Sequence, residues 1–165
     1  TIRAHNDQLF ILEYGKPYQI HVYNLNGHLV NSWNHTDTNG AYHGNKLYVS
    51  QNEVIVADVF NQQIVLYDLS GRLRRSVPYP TIKKGDFTSI CSAAGKDCAI
   101  ITSYSHPQAS KINIKTGEVV WTTSLKCGAF SSACCGRTVL VGLNGNDHAR
   151  AVWIEVLGAE NGECY

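Results

Sequence analysis

Short runs of β-branched and aromatic residues, divided by turn-forming residues, follow one another along the chain. In Gln63–Leu69, for example, apolar residues are nearly continuous, and the turn-forming pair Ser70-Gly71 comes next. No helix-length window keeps apolar residues at the i, i+3, i+4, i+7 positions that an amphipathic helix requires. The pattern therefore predicts an all-β protein of short strands and tight turns.

The pattern also repeats. Gln19–Gly27 (QIHVYNLNG) matches Gln63–Gly71 (QIVLYDLSG), and fainter copies end at Gly117 and Gly158. The four glycines that end these copies are 44, 46 and 41 residues apart. A period of about 40–50 residues is typical of propeller blades or of helical-pair arrays, and the strand-like runs favour blades.

Each repeat divides into four runs, as expected for a blade of four antiparallel strands. Glycine after the third run supplies the positive φ of a tight hairpin turn. We predict a single β-propeller domain over residues 1–165, with blades at about 1–37, 38–80, 81–126 and 127–165. The predicted strands are Ile2–His5, Leu9–Tyr14, Gln19–Leu25 and His28–Trp33; Lys46–Ser50, Glu53–Val59, Gln63–Leu69 and Arg72–Val77; Thr88–Ala93, Cys98–Tyr104, Ser110–Lys115 and Glu118–Thr123; and Phe130–Cys135, Thr138–Leu143, Ala151–Val156 and a weaker Ala159–Cys164.

The predicted innermost strands bear on the number of blades in the ring. In the last two blades they carry small side chains, SICSAA from Ser89 and AFSSACC from Ala129. Small residues suit strands that crowd around a narrow axis, which favours a ring of four blades. The alternative is half of a larger propeller, or a half-ring that a second chain closes to eight blades, because open strand edges favour aggregation.

Blade two reads VADVFNQQIVLYDLSG from Val56 to Gly71. This stretch resembles an NHL repeat, whose core reads V-A-D-x-x-N-x-x-I-x-x-[FY]-D-x-x-G. Lys111–Trp121 in blade three is similar instead to the repeats of quinoprotein-type propellers. The NHL resemblance implies a propeller, and it also implies two functions of NHL-like proteins. These are metal-dependent lyase or hydrolase activity, with His and Asp at the central channel, and RNA binding. Among the His and Asp residues that such enzymes place at the channel, Asp58 is the only one with a counterpart in this sequence. In the NHL repeat this Asp usually has a structural role. The matching residues are Val56, Ala57, Asp58, Asn61, Ile64, Tyr67, Asp68 and Gly71.

Charge argues against a polyanionic partner. The chain has 14 Lys and Arg against 13 Asp and Glu, a net charge of +1, so bulk electrostatics would attract nucleic acid only weakly. A local basic patch falls partly on a predicted outermost strand, where charges prevent edge-to-edge pairing. No apolar run reaches the roughly 18 residues of a membrane span. We therefore expect neither a nucleic-acid nor a membrane partner. The patch comprises Arg72, Arg74, Arg75, Lys83 and Lys84.

Six cysteines lie in the second half of the chain, an even number, as a disulfide framework requires. A two-residue turn at Ala94-Gly95 would place Cys91 opposite Cys98, so we predict a bridge between them. Cys127 and Cys164, at the start and end of blade four, are candidates for a second bridge. For the remaining pair, Cys134 and Cys135, three alternatives stay open: a vicinal disulfide, two separate partners, or two buried thiols.

The same cysteines indicate a secreted protein, because disulfides persist in oxidising compartments. Asn34-His35-Thr36 is a sequon for N-glycosylation. The chain contains no Met and begins at Thr1, as expected of a processed chain or a fragment whose signal peptide has been removed.

The best candidate binding site is the face formed by the loops between the second and third strands of the blades. Loops on one face of a rigid scaffold often carry binding residues, and aromatic rings with amides suit a sugar or a peptide. We predict a secreted, non-enzymatic recognition propeller that binds a glycan or a protein surface there. The alternatives are the metal-dependent enzyme, the RNA-binding module, or a face of ordinary turns. The candidate ligand-binding residues are Tyr14, Lys16, Tyr18, Asp58, Asn61, Tyr104, His106, Asn144, Asp147 and His148.

Sequence motifs for catalysis and cofactor binding are missing. The seven histidines show no His-x3-His spacing, and the cysteines show no Cys-x2-Cys. Asn144–His148 is rich in oxygen atoms but lacks the alternating carboxylates of a calcium loop. There is no Gly-x-Ser-x-Gly elbow and no glycine-rich phosphate loop. We expect no catalytic residue and no cofactor. A metal ion held in the central channel by residues of different blades stays an open alternative.

Two expectations concern packing. Trp33 and Trp121 lie in equivalent fourth strands, so both should wedge between neighbouring blades. The last run of blade four, from Ala159, is polar and broken by glycine, which makes a weak outer strand. We therefore expect a homodimer, joined through blade four or closed into an eight-bladed ring. The alternative is a monomer whose last strand is capped by Cys164.

Overall fold

A computed structural model describes residues 1–13, 15, 18–35, 46–58, 61–79, 88–92, 97–144 and 152–165. These ranges contain strands and turns but no helix, and so no helix in them could cross a membrane. The strands are β1 (Ile2–His5), β2 (Gln8–Glu13), β3 (Gln19–Asn24), β4 (Leu29–Asn34), β5 (Lys46–Val49), β6 (Glu53–Asp58), β7 (Gln63–Asp68), β8 (Leu73–Pro78), β9 (Thr88–Ser92), β10 (Cys98–Ser103), β11 (Gln108–Asn113), β12 (Val119–Ser124), β13 (Gly128–Cys135), β14 (Thr138–Asn144) and β15 (Val152–Gly158).

The strands form four antiparallel sheets in a propeller arrangement, which confirms the predicted fold class. Blade one contains β1–β4, blade two β5–β8 and blade three β9–β12, each in chain order across its sheet. Blade four contains β13–β15, and its weak last run pairs through a single bridge between Leu157 and Cys164. Glycine and polar residues after Leu157 explain why this outer strand is so short.

The hairpin turn after the third strand has the same construction in the first three blades. An Asn or Asp side chain at the end of the strand accepts hydrogen bonds from backbone N–H groups of the turn. The glycine that follows has a φ of about +80° to +90°, which is strained for any residue with a Cβ. The acceptors are Asn24, Asp68 and Asn113, and the glycines are Gly27, Gly71 and Gly117.

Three hydrophobic cores join the four blades in series, one core for each pair of consecutive blades. The central strands β6 and β10 are buried on both faces, whereas β2 and β14 alternate between buried and more exposed positions. Within the described ranges no comparable core joins blade four to blade one. Each core has members from both of its blades, for example Phe10 and Tyr67, Ile64 and Ile101, and Ile100 and Val141.

A residue of each fourth strand packs on a turn glycine of the next blade, so both tryptophans wedge between blades as predicted. A Cβ added to Gly71 would lie 2.5 Å from Cδ2 of Trp33, which shows how closely the indole covers that turn. The same contact recurs twice along the chain, at 2.7 Å each time. The three pairs are Trp33 with Gly71, Val77 with Gly117, and Trp121 with Gly162.

The predicted Cys91–Cys98 pairing is wrong, because β9 and β10 have a different register. Cys91 lies opposite Ile100, and Ser92 lies opposite Ala99. Cys98 is therefore diagonal to Cys91, two positions away from the directly opposed residue, which is too far for a cross-strand bridge. None of the six cysteines forms a disulfide.

Cys127 and Cys164, the candidates for a second bridge, are likewise not bonded to each other. The Cys164 thiol instead donates a hydrogen bond to the carboxylate of Glu155, with 3.2 Å between Sγ and Oε1. That hydrogen bond raises the pKa of Cys164, and desolvation and the Glu155 charge raise it further, whereas the Lys126 charge lowers it.

Candidate functional site

The loop of blade two is built around the carboxylate of Asp58. This side chain is fully buried at the end of β6 and accepts three hydrogen bonds from the loop that follows. The donors are the backbone N–H of Asn61 at 3.1 Å, the Asn61 amide at 2.7 Å and the Gln63 amide at 3.1 Å. Asp58 therefore holds the loop in shape, and its oxygens are occupied within the protein.

Asp58 also belongs to a buried polar network between blades one and two that the sequence did not reveal. His35, which follows β4, is 1% exposed, and its Nδ1 lies 2.8 Å from the Tyr67 hydroxyl. Its Nε2 lies 4.0 Å from Oδ2 of Asp58. Tyr79 donates to the Asp58 carbonyl at 3.2 Å, and burial, reinforced by the Asp58 charge, raises the Tyr79 pKa. No spacing rule connects these positions, because they are far apart in the chain.

Tyr18 does not lie on the loop face as predicted. Its side chain is 4% exposed and packs in the core between blades one and two, because it shares the alternation that also buries Ile20 and Val22 of β3. Its carbonyl accepts a hydrogen bond from the backbone N–H of His35 at 2.8 Å. The other predicted residues Tyr14, Lys16, Asp147 and His148 lie outside the described residues.

The structure brings together two predicted ligand residues from blades three and four. The amide of Asn144, at the end of β14, donates a hydrogen bond to the Tyr104 hydroxyl at 3.3 Å. Tyr104 follows β10 and is 36% exposed. Gly128 pairs with Asn144 and lies against Tyr104, where an added Cβ would be 2.5 Å from the Tyr104 carbonyl oxygen. The glycine thus allows the two loops to approach each other.

His106 lies two residues beyond Tyr104 in the same exposed loop. Its backbone N–H donates to the Ser103 hydroxyl at 3.2 Å, which shapes the turn that presents both side chains. We define the seam site as Tyr104, His106 and Asn144. It combines an aromatic ring, an imidazole and an amide at the edge between two blades, and these groups can stack on and hydrogen-bond to a polar ligand.

Two arginines of the basic patch face acidic side chains of their own blade. Arg74 lies 3.1 Å from the Asp68 carboxylate, and Arg75 lies 4.0 Å from that of Glu53. Lys83 and Lys84 are outside the described residues. As to metals, no group of three or more His, Cys, Asp and Glu side chains in the described part of the chain could hold an ion.

The sequon asparagine is accessible. Asn34 is the last residue of β4 and is exposed, and its Oδ1 accepts a hydrogen bond from the Gln19 amide at 3.1 Å. Thr36 of the sequon lies outside the described residues.

Comparison with known proteins identifies the architecture. No protein-family model matches the chain, and no curated protein sequence matches it. Among solved structures, the computationally designed protein Ika8 has a TM-score of 0.66 at 13% identity over 99% of this chain. Sqt1 of Saccharomyces cerevisiae has a TM-score of 0.68 at 10% identity over 99%. The designed protein Ika4 has a TM-score of 0.62 at 12% identity over 93%.

These similarities establish a propeller-like fold. They do not indicate a function, since every sequence identity is low. The aligned region spans 46% of Ika8 and 45% of Sqt1, so the chain covers less than half of either protein. It spans 87% of Ika4.

Proposed function

We propose that the protein is a non-enzymatic recognition propeller that binds a glycan through the seam site. The observation that carries this proposal is the contact between Tyr104 and Asn144, which joins an exposed ring to an amide across two blades. Sugars present apolar faces and hydroxyl groups together, and an aromatic ring beside hydrogen-bonding groups complements both. A protein surface is the second candidate ligand, because an exposed tyrosine is also a frequent anchor of protein interfaces.

Glycan-array screening followed by titration calorimetry tests the proposal. We expect Tyr104→Ala to weaken binding of a glycan hit by roughly 10-fold or more, since a buried aromatic anchor contributes at least about 1.4 kcal/mol. The matched control is Tyr165→Ala, because Tyr165 is 78% exposed and lies beside Gly158, which pairs with Thr138 at the opposite end of β14. Equal effects of the two variants, or an array without hits, would refute glycan binding at this site.

We also propose that blade two is an NHL-like repeat. The bonds from Asn61 to Asp58 support this, since both residues belong to the motif. Asp68 and Gly71, two further motif residues, belong to the hairpin turn of the same blade. The proposal predicts that Asp58 acts structurally, so Asp58→Asn should reduce stability in urea while leaving glycan affinity at the seam site unchanged. Loss of affinity without loss of stability would contradict it.

We propose further that the protein is secreted and carries a glycan at Asn34. The exposed position of Asn34 at the end of β4 supports this, because a glycan there meets solvent. Expression through a eukaryotic secretory pathway should give a product whose mass falls on treatment with an N-glycosidase. Asn34→Gln is the control and should show no fall. An unchanged mass for the wild-type product would contradict glycosylation at this site.

The two end blades support a proposal of self-association. Ile2 on blade one is 59% exposed, and on blade four Leu140 is 40% and Ile154 is 68% exposed. The equivalent faces of the central blades are covered by their neighbours. The chain also spans less than half of the propeller-like proteins Ika8 and Sqt1. We propose that a second copy of the chain covers these faces and that two copies together complete an eight-bladed ring.

Light scattering measures this directly. The dimer has twice the chain mass of 18.2 kDa, and Ile154→Lys should shift the mass to that of one chain because the new charge would be buried in the interface. Val120→Lys is the control, since Val120 is 52% exposed on the outermost strand β12. A wild-type mass of one chain would overturn the dimer and leave the end faces to a different partner.

A further inference from the structure

The inner strands of blades three and four, β9 and β13, run side by side in the same direction. Ser103, at the end of β10, pairs with Thr88 at the start of β9. Tyr104, the next residue, lies against Gly128 at the start of β13. Both inner strands therefore begin at the same end of the interface between the two blades.

Side chains from these two strands meet across the interface in a defined register. The hydroxyls of Ser89 and Ser132 are 3.0 Å apart. Two residues further along each parallel strand, on the same face, lie Cys91 and Cys134. Strand residues two apart point to the same side, so the register that joins the serines also places the two thiols opposite each other.

Burial and hydrogen bonding agree with this placement. Cys91 is 7% exposed in the core between blades three and four, and the half-buried Cys134 packs against the same core. The pKa of Cys91 is raised to about 11, with burial as the largest cause. A hydrogen bond with Ser132 and the Arg3 charge act in the opposite direction, and the charge of Cys134 acts in the same direction as burial. Cys134 therefore lies close enough to Cys91 to influence the ionisation of its thiol. Cys135 is exposed and points to the other side of β13.

We propose that Cys91 and Cys134 form a disulfide between blades three and four in the presence of a small-molecule disulfide oxidant such as oxidised glutathione. The Cys134 thiolate, which is the more accessible, attacks one sulfur of oxidised glutathione, breaks its S–S bond, and forms a mixed disulfide while one reduced glutathione leaves. The Cys91 thiolate then attacks the Cys134 sulfur and releases the second. The two protein thiols lose two protons and two electrons, and the oxidant accepts both electrons.

The bond would fasten a blade that, within the described residues of its own chain, shares a core with only one neighbour. Blade four shares a core with blade three but none with blade one within the described residues. A bridge between the inner strands links Cys91 and Cys134 across a long loop of chain, and such loops give the larger stabilisation. Oxidation should therefore raise the melting temperature by roughly 5–15 °C.

Tryptic mapping without reduction tests the pairing on the full chain. Cleavage after lysine and arginine gives two peptides with one cysteine each, Cys91 in Gly85–Lys96 and Cys98 in Asp97–Lys111. A third peptide, Cys127–Arg137, contains three cysteines, Cys127, Cys134 and Cys135. After oxidation and alkylation, we expect Gly85–Lys96 to be linked to Cys127–Arg137. The mass should be about 2 Da below the sum of the two reduced peptides once the alkyl groups on the two remaining thiols are subtracted.

Two serine variants assign the link within the three-cysteine peptide. Cys135→Ser should keep both the link and the rise in melting temperature, and Cys134→Ser should lose both. A link from Gly85–Lys96 to Asp97–Lys111 would overturn the proposal, as would a link that persists in Cys134→Ser. Complete alkylation of Cys91 after exposure to the oxidant would overturn it as well.

Discussion

The contact between Trp33 and the turn of blade two allows a sharp test of how the blades are held together. Gly27 and Gly71 occupy the same hairpin position in blades one and two, with φ of +80° and +89°. A Cβ at Gly27 meets nothing within 4 Å, whereas at Gly71 it would lie 2.5 to 2.8 Å from three atoms of the Trp33 indole. Alanine at the two sites therefore differs mainly in the contact between blades.

The expected magnitudes follow from these contacts. Alanine at either glycine must adopt a positive φ, which lowers the free energy of unfolding by about 1–2 kcal/mol. At Gly71 the methyl group must also displace a rigid ring that packs on the core near Tyr67, which adds about 1–3 kcal/mol. With an m-value of about 2 kcal/mol/M, the urea midpoint of Gly71→Ala should fall below that of Gly27→Ala by about 0.5–1.5 M.

Urea unfolding followed by tryptophan fluorescence measures both variants. A Trp33→Leu background removes the ring, so in that background the two alanine substitutions should have nearly equal effects. If Gly71→Ala and Gly27→Ala lower the midpoint equally in the wild-type background, the indole does not wedge firmly between the blades and the reasoning fails.

Three further predictions concern the loops and turns. Asp58→Ala should lower the free energy of unfolding by about 2–4 kcal/mol, because the Asn61 donors lose a charged acceptor; a loss below about 1 kcal/mol in urea would contradict this. The hydrogen bond from Ser70 lowers the pKa of Asp68 below its usual 3.8, so its stabilisation is present above that pH and is lost as the pH falls through the folded-state pKa. Asp68→Asn should flatten this acid dependence, and an unchanged pH profile of the melting temperature would contradict the assignment. Gly128→Ala should displace Tyr104 and weaken glycan binding at the seam site, which calorimetry would detect; unchanged affinity would show that the loop accommodates the methyl group.

The repeated blades were determined locally and could be predicted from the sequence. A third strand followed by Asn or Asp and a glycine specifies its own hairpin, because the side chain and the positive φ act within a few residues. Alternating or continuous apolar runs then fix which strands are half-buried or fully buried. The strands follow from such short-range signals, and the propeller class follows from their repetition every 41 to 46 residues.

Tertiary structure decided what depends on contacts between distant segments. Tyr18 and Asp58 were both candidate ligand-binding residues in the sequence, yet packing between blades buries both, and Asp58 joins a network with His35 and Tyr67. The distance between these positions in the chain left no local pattern by which to group them.

The cysteines show the same division. Their number and position in the second half of the chain were evident from the sequence, but the register of β9 against β10 set Cys91 opposite Ile100 instead of Cys98. The neighbour of Cys91 on the next blade is Cys134, which only the packing of two inner strands could determine. The sequence determined what each blade is made of, because those interactions are local. The fold decided which side chains meet between blades, because those contacts join residues that the chain itself keeps far apart.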